Sequence, residues 1–275
     1  MGKTGVPRFV KWAGGKLQLL GQFEPLFPKE FERYFEPFVG SGAVAFYIIK
    51  KYKPKQVFLS DTNEELVSSY NAIKDNLHEL VTLLKQHKDS HQQKGKEYYY
   101  QVRSLRPSNS TEMAARFIYL NKTCFNGIYR VNSSNIFNVP MGEYANPDIV
   151  QEEKLNEISR VLQNVEIKAK PFESILDKAK KNDFVYMDPP YHPLKRDSFT
   201  TYTKDNFKEE DQIKLANVFK QLSDRGCLVM ESNSDTEFIR NLYNGFKIDT
   251  VQARRVINSK GDGRGKINEL VIRNY

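Results

Sequence analysis

The chain has little cysteine: Cys124 and Cys227 are the only two in 275 residues, and they stand far apart. A disulfide framework is not expected, and a reducing compartment, the cytoplasm, fits better. Long apolar runs are missing as well. Nothing approaches the roughly 18 consecutive apolar residues of a membrane span, and no signal-peptide core follows Met1-Gly2-Lys3-Thr4-Gly5-Val6-Pro7, so no membrane partner is expected. Histidine is scarce too. His78, His87 and His91 lack Cys or acidic partners at metal-ligand spacing, so no metal site is expected. With no internal repeat or low-complexity tract, the chain reads as one large globular domain or two.

Basic charge is what the composition does supply. The 42 Lys and Arg against 34 Asp and Glu give a net charge of +8, which favours a polyanionic partner. The most informative stretch is Asp188-Pro189-Pro190-Tyr191, directly after the apolar run Phe184-Val185-Tyr186-Met187. Two prolines cannot donate to a sheet ladder, so a strand stops there abruptly. In open α/β sheets ligands bind at the carboxyl ends of strands, so an acid, fixed carbonyls and an aromatic ring are presented at the productive rim.

A second strand, Arg33-Tyr34-Phe35-Glu36-Pro37-Phe38, runs into Val39-Gly40-Ser41-Gly42-Ala43-Val44-Ala45 and then a helix. Strand, glycine turn and helix in that order form the first unit of a Rossmann-like sheet, in which glycines let the backbone approach a ligand. Asp61, ending the strand Val57-Phe58-Leu59-Ser60, stands where an acid commonly receives ribose hydroxyls. These features imply an adenosine-bearing cofactor, either a nicotinamide dinucleotide or S-adenosylmethionine. Upstream, Trp12-Ala13-Gly14-Gly15-Lys16 precedes a helical pattern and forms a candidate anion site. A Walker A loop is excluded, because Val10 and Leu17 occupy its required Gly and Ser/Thr positions. Trp12 suits a core position as well as a ligand wall.

Residues 63–102 read as helical, with Arg103 available for a phosphate, and 113–120 as a further helix. Then Phe125-Asn126-Gly127-Ile128-Tyr129-Arg130-Val131-Asn132 and Ile136-Phe137-Asn138-Val139-Pro140 flank a Ser-Ser-Asn turn, a β-hairpin pattern dense in Asn, Arg and aromatics. Such side chains suit base edges, although a loop merely capping the sheet has the same appearance. The sheet resumes at Val165-Glu166-Ile167-Lys168-Ala169, where Phe172 either faces a cofactor adenine or packs. Residues 194–205, with Lys195, Arg196 and Tyr202, read as a polar cover, and the loop carrying Arg264-Gly265-Lys266 as a phosphate contact or a solvated hairpin end.

As a set, these motifs resemble the DNA adenine-N6 methyltransferases of the Dam/DpnII type over nearly the whole chain. The resemblance implies an α/β, Rossmann-like S-adenosylmethionine-dependent sheet with an inserted, mostly helical target-recognition domain carrying a β-hairpin. Residues 1–62 and 163–275 would form the catalytic domain and 63–162 the insertion. Trp12, Ala13, Gly14, Gly15, Lys16, Phe38, Gly40, Gly42, Asp61, Phe172 and Asp188 would then surround S-adenosylmethionine. Asp188, Pro189, Pro190 and Tyr191 would grip a flipped adenine in double-stranded GATC. Arg130 would read the outer guanine, Phe125 would intercalate, and Asn126, Ile128 and Pro140 would lie among the base contacts. Asn132, Asn138, Arg103, Arg264 and Lys266 would position the backbone. The family commonly has an acid where Pro171 stands, for which Glu173 is a possible substitute. A restriction endonuclease would be a functional rather than a physical partner. Methylation of RNA or of protein glutamine, a nicotinamide dehydrogenase, and a DNA-binding module without catalysis are the competing readings.

Overall fold

The computed structural model of the protein describes residues 5–194, 207–254 and 266–275. Its strands are β1 (Arg33–Glu36), β2 (Gln56–Asp61), β3 (Val165–Ala169), β4 (Phe184–Met187), β5 (Leu228–Ser234), β6 (Lys247–Arg254) and β7 (Lys266–Arg273). They form one sheet in the order β3-β2-β1-β4-β5-β7-β6. The first five run parallel, and β7 is antiparallel to both of its neighbours.

A parallel sheet must be covered on both faces, and the sequence meets that demand with period-two apolar residues. Tyr34, Phe184 and Tyr186 enter one core, whereas Phe35, Val185 and Met187 enter the other. The described α-helices are α1 (Leu20–Phe23), α2 (Ala43–Tyr52), α3 (Glu64–Asp75), α4 (Leu77–Lys94), α5 (Lys96–Ser104), α6 (Ser110–Thr123), α7 (Glu152–Leu162), α8 (Glu209–Asp224) and α9 (Glu237–Leu242). Residues of α2 to α7 pack into the first core, and residues of α8 and α9 into the second. The first core is continuous from Phe9 through Phe46, Leu80, Tyr119 and Phe137 to Val165, so the inserted helices share apolar packing with the sheet. None of the described helices is long and apolar enough to cross a membrane.

Two local expectations are revised. The helical stretch over 63–102 is divided into α3, α4 and α5, with breaks at Asn76 and at Gly95, whose φ of 51° and ψ of −117° suit glycine. The expected β-hairpin forms without a strand ladder. Two isolated antiparallel bridges, Cys124 to Met141 and Val131 to Phe137, close it. The Asn132 side-chain oxygen accepts from the backbone N–H groups of Ser134 and Ile136, each at 3.0 Å, so a side chain takes the place of ladder bonds in the turn.

Gly42 starts α2 at φ 72°, and a Cβ there would lie 2.7 Å from the Tyr70 hydroxyl oxygen and 2.9 Å from Phe46. Gly42→Ala is therefore expected to destabilise the protein by about 2 kcal/mol or more, from left-handed strain plus overlap. Chemical denaturation measures this, and an unchanged midpoint would contradict the packing described.

Candidate active site

The two motifs that the sequence places far apart meet because their strands are neighbours. Tyr34 and Phe35 of β1 stand in register with Phe184 and Val185 of β4, so the chain leaves both strands side by side at their carboxyl ends. After β1, the backbone N–H of Gly40 donates to Asp61 Oδ2 at 3.1 Å, and that of Asn63 donates to Oδ1 at 3.0 Å. Burial raises the Asp61 pKa, against the pull of these backbone donors. The space beside Gly40 is taken by protein. A Cβ there would lie 2.8 Å from Trp12 Cδ1, so the glycine admits the indole closely. Trp12 also stacks on Tyr129, with centroids 5.7 Å apart and planes at 26°.

The segment Ala13-Gly14-Gly15 delivers Lys16 to the first position of a 3-10 turn, where the side chain is only 5% exposed. The anion it meets belongs to the protein. Lys16 Nζ lies 2.7 Å from Asp188 Oδ1 and donates to the Gly14 carbonyl at 2.6 Å. Ser232 Oγ donates to the same Asp188 oxygen at 3.0 Å and itself accepts from the buried Tyr186 hydroxyl at 2.8 Å. Among the described residues both bonds fall on Oδ1, which leaves Oδ2 for an incoming donor. Burial pushes the Asp188 pKa up, and the Lys16 ammonium opposes that shift.

Two further carboxyls crowd the same lysine. Glu36, at the end of β1, accepts from the Tyr34 hydroxyl at 2.6 Å, and burial pushes its pKa well up. Glu269 on β7 accepts from the Tyr191 hydroxyl at 2.7 Å and is also shifted upward by burial. The Lys16 ammonium lies 4.7 Å from the centroid of the Tyr191 ring.

The strand end after Tyr191 is held by a polar network that sequence reasoning missed. Gln212 Nε2 donates to the Pro190 carbonyl at 2.9 Å, and Gln212 Oε1 accepts from Asn233 Nδ2 at 3.0 Å. Asn233 Oδ1 accepts from the His192 N–H at 3.2 Å, and Ser234 Oγ donates to the His192 carbonyl at 2.6 Å. Ser232, Asn233 and Ser234 end β5, and all are buried. Four polar residues, Glu231 to Ser234, running on from Leu228-Val229-Met230 were the available signal.

Phe172 stacks on Phe38 at 5.5 Å, and Phe207, another unforeseen member, packs against both rings at 6.0 Å. Pro171 caps the 3-10 helix Phe172–Asp177, and Glu173 is exposed on its first turn.

The candidate DNA-contacting residues separate into two groups. Phe125 is 51% exposed, and Asn126 beside it is exposed at φ 55°. Arg130 is exposed and donates through Nε to Asn138 Oδ1 at 2.7 Å. Pro140 is exposed and Ile128 partly so. The second group has structural partners: Asn132 uses its side-chain oxygen inside the turn, and Arg103 donates to the Val139 carbonyl at 3.3 Å and lies over the Tyr100 ring at 4.6 Å. Lys195, Arg196, Tyr202 and Arg264 lie outside the described residues, as does the side chain of Lys266. His87 and His91 are engaged by the hydroxyls of Tyr98 and Tyr119, each at 2.8 Å.

Asn121 fastens the start of the hairpin to the N-terminal segment. It accepts from the Lys11 N–H at 2.8 Å and donates to the Lys11 carbonyl at 2.9 Å and the Gly127 carbonyl at 3.1 Å.

Residues 12–257 match the family model described as D12 class N6 adenine-specific DNA methyltransferase. Among curated proteins, the chain is 45% identical to the type II methyltransferase M.MjaIII of Methanocaldococcus jannaschii, over 98% of this chain and 99% of that one. It is 41% identical to the type II methyltransferase M1.LlaDCHI of Lactococcus lactis subsp. cremoris, over 99% and 97%. With the DNA adenine methylase of Escherichia coli K12 the identity is 34%, over 96% and 93%.

Glu231 supplies a test of the buried network. Burial raises its pKa to about 7, against hydrogen bonds from Tyr243 and Asn233. The folded state thus holds a proton there more tightly than the unfolded chain, so stability falls as pH rises from the ordinary value of 4.5 to about 7. Glu231→Gln removes that ionisation. Its melting temperature is expected to decline less than the native protein's across this window, and parallel profiles would contradict the assignment.

Proposed function

The chain belongs to the D12 class of N6 adenine-specific DNA methyltransferases, and from that premise we propose that it methylates N6 of a flipped adenine in double-stranded GATC, with S-adenosylmethionine as donor. The observation that carries the reading is the Asp188 carboxylate, anchored through Oδ1 by Lys16 and Ser232 and presented beside the glycine turn. The dehydrogenase, RNA and glutamine readings are not carried further, because the family's reaction is methyl transfer to DNA adenine.

The residues present fit the donor. Asp61 spends one acceptor site of each oxygen on a backbone N–H, so lone pairs remain for ribose hydroxyls. Phe38, stacked on the buried Phe172 and itself only partly buried, would supply an aromatic wall for an adenine. When bound, S-adenosylmethionine supplies an electrophilic methyl group on a sulfonium.

Adenine N6 is a weak nucleophile because its lone pair is delocalised into the ring. Hydrogen bonds from the amine to Asp188 and to the Pro189 carbonyl would draw the nitrogen toward a pyramidal shape and turn its lone pair toward the methyl group. Gln212 occupies the next carbonyl, that of Pro190, and so fixes the peptide geometry at this position. Transfer of the sulfonium methyl to N6, with the carbon–sulfur pair leaving on sulfur, would make the nitrogen strongly acidic, and the Asp188 carboxylate bonded to it would take the proton or pass it to solvent. Orientation supplies much of the acceleration. The target amine is paired within the duplex, so the base must leave the stack at a cost of a few kcal/mol.

For target choice, Asn138 holds Arg130 through Nε, leaving the terminal guanidinium nitrogens for a guanine edge. Phe125 has the exposure needed to fill the gap that a flipped base leaves. We place the enzyme in the cytoplasm, where its two buried cysteines stay reduced and DNA is at hand. A cognate endonuclease would be a functional partner.

Transfer of labelled methyl groups to duplexes with and without GATC tests the whole reading, and equal or absent labelling of both would reject it. Asp188→Ala is expected to abolish transfer while cofactor and DNA still bind; near-normal turnover would overturn the mechanism. Arg130→Ala should relax discrimination at one base pair by about 1–3 kcal/mol. A uniform loss on every duplex would instead assign Arg130 to the phosphate backbone.

A further inference from the structure

Glu269 sits in the sequence as one acidic residue of the last strand, Lys266–Arg273, with no motif to mark it. In the fold it faces the site: its carboxylate accepts the Tyr191 hydroxyl at 2.7 Å, across a separation of 78 residues. Burial there is unfavourable for a carboxylate, and the neighbouring Asp188 charge makes it more so. Lys16 is the compensating charge for both acids.

We propose that Glu269 is a positioning residue for the methyl-transfer site, locking the Tyr191 ring so that one face is committed to Lys16 and the other is presented to the flipped base. The inference rests on the reading of Tyr191 as the base-stacking residue. A tyrosine at a strand end can swing about two side-chain torsions, and its backbone alone does not fix the ring plane. Here the ring is held at two remote points. The hydroxyl, at the far end of the side chain, is tied to Glu269, and one face lies 4.7 Å from the Lys16 ammonium. The same ammonium anchors Asp188 at 2.7 Å, so ring plane and carboxylate share one reference point. A base stacked on that ring would be registered against Asp188 before chemistry begins.

Single-turnover methylation of a duplex, with separate measurement of cofactor and DNA affinity, tests this in Glu269→Ala, Glu269→Gln, Tyr191→Phe and the double variant Tyr191→Phe/Glu269→Ala. Misplacement of a reacting group lowers rate by about tenfold to a hundredfold. Glu269→Ala and Tyr191→Phe are each expected to show a loss of that order, with affinities little changed. The double variant should lose no more than the worse single variant, because both changes remove one contact. Glu269→Gln, which keeps an acceptor oxygen, should recover most of the rate. 2-Aminopurine at the target position should still report flipping in every variant.

Multiplicative losses in the double variant, a native rate in Glu269→Ala, or an effect confined to cofactor affinity would each overturn the proposal. If Glu269→Ala fails to fold, Glu269→Met and Tyr191→Phe/Glu269→Met carry the same cycle, since the thioether is close to Glu in size but a poor acceptor. Failure of the underlying reading has a different signature: the native protein itself would not methylate the duplex.

Discussion

One buried ion pair organises this molecule. Lys16 reaches Asp188 with both side chains largely withdrawn from water, and Glu36 and Glu269 stand close enough to feel the same ammonium. A buried pair is poor evidence for stability, since desolvation offsets much of its attraction. Its value here lies in tolerance: without the lysine, the carboxyl groups at the ends of β1 and β4 and that of Glu269 within β7 would crowd together with no cation among their described partners. Arrangements that strain charge in this way are frequent at sites of chemistry.

The position of Lys16 depends in turn on residues that come a hundred positions later. Asn121 grips the backbone on both sides of Lys11, and the Trp12 indole is held between Gly40 and Tyr129. Tyr129 donates to Glu65 at 3.0 Å, and Glu65 pairs with the buried Arg116 at 2.6 Å. The loop proposed to read DNA and the lysine that anchors Asp188 are thus parts of one hydrogen-bonded assembly. A loop mounted this way shares the framework that fixes the Asp188 carboxylate.

Much of the architecture was legible in the chain because local chemistry dictated it. The apolar run Phe184–Met187 before two prolines could only be a buried strand that stops, and Gly40, Gly42 and Asp61 mark a turn and an acid at strand ends. What stayed hidden shares a different cause. Glu269, Gln212 and Asn233 act through partners that are 78, 22 and 41 residues distant, and a polar residue in a strand or helix ordinarily signals a solvent face. Asn233 lies on β5, the neighbour of β4, Glu269 on β7 one strand further out, and Gln212 on α8, so only the tertiary fold brings them to the end of β4. The hairpin was legible in residue type but not in form, because only a few backbone bonds cross it and the Asn132 side chain takes two N–H groups of the turn. Asn132 and Arg103, candidate contacts for DNA, also serve the fold, because both are rich in hydrogen-bonding groups.

The placement of Trp12 has an optical consequence. It is the chain's single tryptophan, and it meets the Gly40 turn with one part of its indole and Tyr129 of the hairpin with another. Its emission therefore originates at the seam between the two and carries no contribution from elsewhere in the molecule. The protein holds a built-in fluorophore at the point where events on either side would first be felt.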